Sequence, residues 1–273
     1  MAHALQDRYS ALVDAKLRAT LVTRDGLIFN TRYEGKPTAG AVKIPVRDTE
    51  VAVREYDKAS GIDAQTGTTT YLTVTVDKDY AVNELIDGYD AAAVPDGIVA
   101  ERLDSAGYSF ALQLDKDAIA TLEAGGTAYG DTTAIAAETA YKTLVGMRTQ
   151  LSKSNVPASG RFALVTPDVV GMLLEDTTHF VRASNLGDEV VQSGAIGRIA
   201  GFTVYETNNA AATTEIIVGH PDWCHRIREW AVDVHLQDLN GSGKYIGASA
   251  VQGRSVYTHK VSKKTAVLIK KKA

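Results

Sequence analysis

The stretch "TGTTTYLTVTVDK", residues Thr66 to Lys78, alternates polar and apolar side chains. Successive side chains of a β-strand point to opposite faces, so the pattern places Leu72, Val74 and Val76 on one face of a predicted strand. At about 3.3 Å per residue the stretch would extend roughly 40 Å, whereas an ordinary strand has about 5–6 residues. The stretch therefore predicts one side of an unusually long arm.

Residues 41–56, "AVKIPVRDTEVAVREY", supply a partner for this arm, and "DKASGIDAQ" forms a polar turn between the two. The apolar positions of the partner alternate in the same way: Val42, Ile44, Val46, Val51 and Val53. A two-stranded ribbon is only marginally stable by itself in water. The ribbon therefore raises the question of what covers its apolar face.

The composition is that of an ordinary globular chain, with 273 residues of which 45% are hydrophobic and 23% charged. The net charge of −4 does not indicate a general attraction to nucleic acid, which needs a concentrated basic surface. The single cysteine, Cys224, excludes an internal disulfide framework and is typical of a reducing compartment. We expect neither a signal peptide nor a membrane span, because charges interrupt every long apolar run.

Apolar residues at helical spacing predict a short helix over residues 3–22 and a long helix that starts at Pro95 and Asp96. The long helix carries one apolar stripe: Val99, Leu103, Ala106, Phe110, Leu114, Ala118 and Leu122. Gly107 interrupts it at a cost of about 1 kcal/mol relative to alanine. The glycines of "EAGGTAYGD" predict its end and a domain boundary.

The next block, up to residue 225, has the pattern of a compact α/β unit. It predicts a helix near 132–153, the buried strand "RFALVT", a helix capped by Thr166, a second short helix near 186–194, and the strands "FTVYET" and "TEIIVGH". The last fifty residues predict four strands: "REWAVDVHLQ", "YIGASAVQG", "RSVYTHKVS" and "KTAVLIKK". The basic C-terminus favours a solvated strand end, with a phosphate-facing tail as the alternative.

Signatures of catalysis and phosphate binding are missing from the sequence. "DLNGSGKY" has Tyr245 after Gly243 and Lys244, where a phosphate loop needs Ser or Thr, and Asp238 where it needs a further glycine. These glycines predict a hairpin turn instead. The histidines form no HExxH pair, and no GxSxG elbow occurs.

"GHPDWCHRIREW" gathers His220, Asp222, Cys224 and His225, which are all able to bind metal. A structural zinc site needs four ligands, usually in paired spacings, and no second cluster supports this one. We therefore expect a turn whose cysteine fills space and whose histidines face water. We expect no catalytic residue, no cofactor and no metal.

The order of elements resembles the major capsid proteins of tailed bacteriophages, the Hong Kong 97-type fold. "KIPVRDTEVAVREYDKASG" and "TGTTTYLTVTVDKDYAVNELID" are similar to the extended loop of phage head proteins. "RFALVTPDVVGMLLED" and "GAIGRIAGFTVYETNN" are similar to their axial domain. The resemblance covers nearly the whole chain and lies in order and spacing.

The resemblance implies an α+β fold of four parts. Residues 1–40 would be an N-terminal arm and 41–79 the extended β-hairpin loop. Residues 80–130 and 226–273 would form a peripheral domain with the long helix as its spine helix. Residues 131–225 would be the α/β axial domain.

The implied function is that of a major capsid protein, which self-assembles through pentamers and hexamers into an icosahedral shell. The shell would enclose double-stranded phage DNA without sequence-specific binding, and it would be assembled in the bacterial host cytoplasm as the capsid of the virion. Portal and possibly decoration proteins are implied as partners. Because the arm starts at once, either a separate scaffolding protein or an already removed scaffolding segment is also implied. An enzymatic activity is not implied.

In the family the extended loop lies across the adjacent subunit, which would cover its apolar face. The resemblance therefore makes Arg54, Tyr56, Asp57, Lys58 and Tyr71 candidate contacts between subunits. The family's spine helix bends in the precursor shell and straightens later. Gly107 is a candidate hinge for this bend, and close packing against a neighbouring strand is the alternative explanation for that glycine.

Two other functions stay open. An encapsulin-type compartment shares the fold but encloses enzymes. A soluble α/β enzyme or ligand-binding protein with an unusual arm would have a deep polar pocket, but the lack of motifs and the uncovered ribbon argue against it.

Overall fold

The computed structural model describes residues 16–46, 50–93, 97–175, 181–182 and 195–272. The helices are α1 (Gly88–Ala93), α2 (Ile98–Gly125), α3 (Ala137–Lys153) and α4 (Pro167–Glu175). The strands are β1 (Ala41–Val46), β2 (Thr70–Thr75), β3 (Lys78–Asp87), β4 (Thr127–Ala128), β5 (Phe162–Val165), β6 (Val181–Arg182), β7 (Ala195–Ile199), β8 (Phe202–Glu206), β9 (Thr214–Gly219), β10 (Cys224–Asp238), β11 (Ala248–Val261) and β12 (Val267–Lys271). Among the described residues they form three sheets.

The ribbon consists of β1 and β2, which pair antiparallel from Ala41 with Thr75 to Val46 with Thr70. The predicted alternation is confirmed, because Val74 is buried while its neighbours on the strand are exposed. The ribbon is shorter than predicted, since residues 50–69 form no regular strand and contain only one isolated bridge, between Asp57 and Gly61. Regular pairing reaches only as far as the apolar residues find something to pack on.

The second sheet is antiparallel, in the order β10-β11-β3, with helix α2 packed on it. The two strands predicted at 245–253 and 254–262 are one strand, β11, with Gly253 in its interior. A Cβ at Gly253 would lie 2.9 Å from Phe110 Cε2 and 3.0 Å from Val234 Cγ2. The glycine therefore marks the close approach of α2 to the sheet and not a turn.

The third sheet has seven strands in the order β4-β12-β9-β5-β8-β7-β6. Strand β5 is parallel to β8 and antiparallel to β9. Helices α3 and α4 cover one face, where Leu144 and Leu173 pack on Ala163 and Val165. The C-terminal half of α2 contributes Ile119 and Leu122 to the core on the other face. Both faces of this sheet are thus buried within the chain.

The C-terminal strand β12 lies inside the seven-stranded sheet, between β4 and β9. The expectation of a solvated strand end is wrong for Lys270, which is 1% exposed and donates from Nζ to the carbonyl oxygen of Thr133 at 2.7 Å. Since β12 belongs to the sheet built mostly from residues 131–225, the division predicted at Arg226 does not separate the two larger sheets.

Three predicted features fall wholly or partly outside the described residues. Of the helix predicted at 3–22, residues 16–22 have no helical structure, which corrects that part, and the rest is outside the description. The predicted helix start at Pro95 and Asp96 is also outside, and α2 is described from Ile98. The helix predicted near 186–194 lies outside as well.

Candidate functional site

Helix α2 presents two different faces to the chain. Its apolar stripe packs toward the sheets, with Ala106, Ala118 and Leu122 buried, as the periodicity predicted. A second line of polar residues at seven-residue spacing, Glu101, Tyr108 and Asp115, contacts the N-terminal residues. The helix therefore joins the N-terminal segment to the body of the subunit.

The strap, residues 22–30, crosses α2 and β10 without regular secondary structure beyond isolated bridges. Three of its own residues, Val22, Ile28 and Phe29, are buried in the core. Asp115 is only 2% exposed, and its Oδ1 accepts from Val22 N at 3.0 Å, from Thr23 N at 2.8 Å and from Thr23 Oγ1 at 2.8 Å. Apolar burial and one buried carboxylate together hold the strap.

Arg226, on β10, holds the same segment from the other side and is also 2% exposed. Its guanidinium donates to the Thr23 carbonyl oxygen at 2.7 Å and to Asp25 Oδ1 at 2.7 Å. Burial lowers the pKa of Arg226, and the nearby Asp25 carboxylate opposes that change. A buried guanidinium that donates from each of its three nitrogens fixes position more than it adds net stability.

The group around Cys224 is a turn whose side chains are hydrogen-bonded to other parts of the chain. Cys224 is buried, and burial raises the pKa of its thiol to about 12. His220 accepts from Asp222 N at 3.2 Å, and His225 contacts Asn30 Oδ1 at 2.9 Å and Ser262 Oγ at 3.0 Å. Within the described ranges no set of three metal-binding side chains comes together.

The expected position of the histidines in this turn is wrong, since His220 and His225 are both buried instead of facing water. The turn places His225 against Asn30 and Ser262, and His220 against the carbonyl oxygen of Ser159. These partners lie in distant parts of the chain, which sequence spacing does not reveal. Burial, the first cause, and the nearby Arg32 lower the pKa of His225 to about 4. A neutral, fully hydrogen-bonded imidazole here stabilises the turn.

The base of the ribbon is covered by the subunit itself. Ile44 and Val74 pack on Ile227 of β10, with Tyr33 and Leu72 at the edge of this cluster. The expectation that another chain covers the whole apolar face is therefore wrong for β1 and β2. That expectation then applies only to the part of the ribbon beyond β1 and β2.

The distal loop, residues 50–69, extends past this cover. Val51 is 85% exposed and Val53 99%. Tyr56 is 66% exposed and Ile62 50%. Large apolar side chains that share one segment and lack cover mark an interaction surface or an aggregation hazard. This loop is the candidate functional site.

Four of the five predicted contact residues, Arg54, Tyr56, Asp57 and Lys58, lie in the distal loop, and all four are exposed. The fifth, Tyr71, is exposed on β2, outside the loop. Their contacts with another chain stay a prediction.

Asp57 organises the tip of the distal loop. It accepts from Ala59 N at 2.8 Å and from Ser60 Oγ at 2.9 Å, and these bonds, the backbone one first, lower its pKa. Gly61, whose φ is +69°, donates from its N–H to the Asp57 carbonyl oxygen. The tip is thus a tight turn with a positive φ that suits glycine.

Gly107 lies on the exposed side of α2, at the edge of a groove of about 280 Å³ between the helix and the β10-β11 sheet. A Cβ built at Gly107 would meet no atom within 4 Å. The alternative of close packing against a neighbouring strand is therefore wrong, and the hinge stays a prediction.

A cavity of about 670 Å³ lies at the start of α4, lined by Thr166, Asp168, Glu215 and Lys272 among others. Among the described residues that line it there is no histidine and no cysteine. None of the helices in the described ranges has the length and apolarity needed to cross a membrane.

The sequence signature of a family described as "Phage capsid protein" matches residues 68–245. A comparison with curated protein sequences found no significant match.

Solved structures resemble the chain over nearly its whole length. A chain of Mycobacterium phage Che8 matches with a TM-score of 0.77 and 22% identity, covering 97% of this chain and 96% of that one. The capsid structure of the Cyanophage P-SCSP1u matches with a TM-score of 0.77 and 13% identity, covering 98% and 93%. The capsid of a native GTA particle matches with a TM-score of 0.70 and 15% identity, covering 98% and 95%. At these identities the likeness concerns the fold, a mixed helix and sheet architecture shared with phage capsids.

Proposed function

Because this chain belongs to the phage capsid protein family, we propose that its distal loop is the surface through which one shell subunit holds the next. The chain is a major capsid protein, and its role is structural: it is a subunit of an oligomeric shell. The observation that carries the proposal is the apolar distal loop, which none of the described residues of its own subunit covers.

The loop is suited to bind a neighbour and not to stabilise its own subunit. Burying an exposed apolar side chain contributes about 25 cal/mol for each Å² removed from water. In the free subunit Val51 and Val53 gain none of this free energy, whereas in a shell they would gain it against the adjacent chain. The exposed rings of Tyr56 and Tyr71 are of the kind that anchors interfaces.

The finer assignments follow from the family. In this proposal α2 is the spine helix, residues 1–40 are the arm, 80–130 and 226–273 form the peripheral domain, and 131–225 form the axial domain. The length of α2, 28 residues, supports its role as the spine helix, and the seven-stranded sheet, which takes most of its strands from residues 131–225, supports an axial domain there. The sharing of β12 between the two parts limits how independently they can fold.

The shell would be icosahedral and built from pentamers and hexamers, enclosing double-stranded DNA without reading its sequence. The net charge of −4 supports a shell that encloses the DNA and does not bind it tightly, because tight binding of phosphates needs a concentrated positive charge. Scaffolding, portal and decoration proteins are proposed partners, and the host cytoplasm is the proposed place of assembly. The family match favours this function over an encapsulin-type compartment or a soluble α/β enzyme.

The first test shortens the ribbon. Because Val46 pairs with Thr70, residues 47–69 can be replaced by Asn-Gly, which forms a two-residue hairpin turn. The shortened chain should fold with the helix and strand content of the parent, as measured by far-UV circular dichroism. It should form no shells or capsomer rings, as measured by light scattering and negative-stain microscopy. Shells of normal size from this variant would contradict the proposal.

A second variant separates lost apolar contact from a changed loop. Val51→Asp with Val53→Asp should reduce assembly by at least tenfold in yield, because both side chains would have to bury a charge at the interface. The matched control is Thr68→Asp with Thr69→Asp, which adds the same charge to exposed polar positions of the same loop. Equal losses from both pairs would show that charge alone, and not the apolar surface, governs assembly.

A further inference from the structure

His259 of β11 is 6% exposed and lies between two aromatic rings. Its ring centroid is 5.0 Å from that of Phe29 in the strap and 5.4 Å from that of Tyr257, both in edge-on geometry. One of its contacts therefore belongs to the strap, and the other to the body of the subunit.

The hydrogen bonds of His259 determine where its proton is. Arg226 Nε donates to His259 Nε2 at 2.9 Å. A guanidinium only donates, so Nε2 must be the unprotonated acceptor and the proton must be on Nδ1. Nδ1 is buried and has no hydrogen-bond partner among the described residues.

Protonated His259 would carry a proton on Nε2 as well as on Nδ1. The new N–H would then face the N–H of Arg226 Nε, donor against donor. The surroundings oppose that charge: burial, the first cause, with Arg226, Arg228 of β10 and Lys78 of β3, lowers the pKa of His259 to about 3. The strap offers one carboxylate, Asp25, which is already engaged by both Arg226 and Arg228.

Helix α2 offers no free carboxylate to His259 either. Asp117 accepts from Tyr257 Oη at 2.9 Å, and burial, the first cause, together with this bond raises the pKa of Tyr257. Asp115 accepts from the strap and from Asn209. No anion in the described surroundings therefore offsets a charge on His259.

We propose that His259 is an acid-sensitive latch, whose protonation turns Arg226 away and releases the strap from the body of the subunit. The same guanidinium donates to Thr23 and Asp25, so turning it away removes the strap's bonds on the β10 side. Only the bonds to Asp115 and the apolar contacts then remain. The latch is independent of the proposed role of the distal loop.

The direction of the pH effect follows from the two states. With the strap closed the pKa of His259 lies near 3, and opening removes the burial by the strap, which moves the pKa up toward the ordinary value of about 6.5. The open state therefore binds the proton better. The closed strap is most stable above about pH 6.5 and loses stability as the pH falls toward 3, by at most about tenfold per pH unit for this one proton.

His225 provides an internal contrast at the far end of the strap. Its two ring nitrogens face Asn30 Oδ1 and Ser262 Oγ, which are both oxygens able to accept a hydrogen bond. Protonation there places no donor against another donor. Burial nevertheless lowers the pKa of His225 to about 4, so His225 adds its own share of the pH dependence wherever opening of the strap exposes its ring, and His225→Gln measures that share.

The chain contains its own reporter of strap opening. Cys224 packs against Val22, Ile28 and Phe29, and its carbonyl oxygen accepts from Asn30 N at 2.8 Å. In the closed state the thiol is fully buried, so its reaction with 4,4′-dithiodipyridine measures opening. The rate is divided by that of glutathione at the same pH, which removes the ordinary pH dependence of a thiol.

We expect the normalised Cys224 rate to rise between pH 6 and pH 4, by up to tenfold per pH unit, in the unassembled full-length chain. His259→Gln keeps an acceptor for Arg226 Nε but cannot be protonated, so its rate should rise clearly less than that of the parent, and only by the share that His225 contributes. His235→Gln is the matched control, because His235 is exposed on the neighbouring strand β10 and should leave the rise intact.

The proposal is overturned if the parent rate stays flat, or if His259→Gln keeps the full rise of the parent. It is equally overturned if far-UV circular dichroism falls in parallel with the rate, since the opening would then be global unfolding. Should His259→Gln fail to fold, hydrogen exchange of the parent decides: amides of residues 22–30 must lose protection at pH 4.5 while those of β5 and β9 keep it. Equal protection at both pH values would refute the latch.

Discussion

The strap, residues 22–30, and the distal loop, residues 50–69, are both irregular segments that carry large apolar residues, yet their surroundings are opposite. Phe29 of the strap is fully buried, whereas Val53 of the loop is 99% exposed. The strap also receives two buried charged partners from its own chain, Asp115 and Arg226. The loop has none of these among the described residues.

This difference separates folding from assembly within one chain. A segment whose apolar and polar groups are satisfied inside the subunit contributes to its free energy of unfolding. A segment whose apolar groups stay in water contributes almost nothing until a second chain arrives. The strap thus belongs to the stability of the subunit, and the loop to the stability of the shell.

The largest expected difference between the two segments comes from truncating one apolar residue in each. Phe29→Ala should lower the free energy of unfolding by about 3–5 kcal/mol, because it removes a fully buried ring and leaves a cavity. Urea unfolding of the unassembled subunit measures the change. The control, Val53→Ala, should change it by less than about 0.5 kcal/mol. A similar loss in both variants would remove the distinction.

A smaller effect should follow from removing a polar partner of the strap. Asp115→Ala should cost about 3 kcal/mol, because the buried N–H groups of Val22 and Thr23 would lose their acceptor. The melting temperature should then fall by roughly 6–12 °C. The control is Asp104→Ala. Asp104 lies on the same helix as Asp115 and forms an exposed ion pair with Arg18 of the N-terminal segment, so this variant should lower the melting temperature clearly less. Equal shifts would mean that the buried network does not hold the strap.

The smallest effect concerns the helix that carries the strap. Gly107→Ala should stabilise the unassembled subunit by about 0.5–1 kcal/mol, since the new methyl group meets no atom and alanine favours the helix. If Gly107 is a hinge, the same variant should also alter particle diameter in cryo-electron microscopy. A destabilised subunit, or unchanged particles, would exclude the hinge.

Gly253→Ala is the matched control for that substitution. Its Cβ would clash with Phe110 and Val234, so we expect a loss of about 1–3 kcal/mol. Opposite signs at the two glycines would show that open space, and not glycine itself, decides the outcome.

Local patterns predicted much of the fold. The alternation at 70–75 is that of a half-buried strand, and the apolar stripe from Val99 to Leu122 is that of α2. Four of the five predicted contact residues lie in the exposed loop, and their contacts with another chain stay a prediction. Glycines are the weaker signal. Gly253 predicts the end of a strand, but it lies inside β11, because a turn and a close contact with a helix both select glycine.

The buried charges were missed, and only the seven-residue spacing of Glu101, Tyr108 and Asp115 could have indicated part of them. Asp115 and Thr23 are 92 residues apart, and Arg226 and Asp25 are 201 residues apart. Charged residues are mostly exposed, so composition favours the wrong answer at Asp115, Arg226 and Lys270. Their partners exist only after the chain has folded.

The sequence by itself determined the periodic elements, their order and the family, because periodicity and order are properties of neighbouring residues. The tertiary structure alone decided that Ile227 covers the base of the ribbon and that Val51 and Val53 stay uncovered by the described part of the chain. It also decided that His259 meets the donor of Arg226. The physical reason is that burial and hydrogen-bond pairing depend on which distant segments meet in space, and a local pattern carries no information about that meeting.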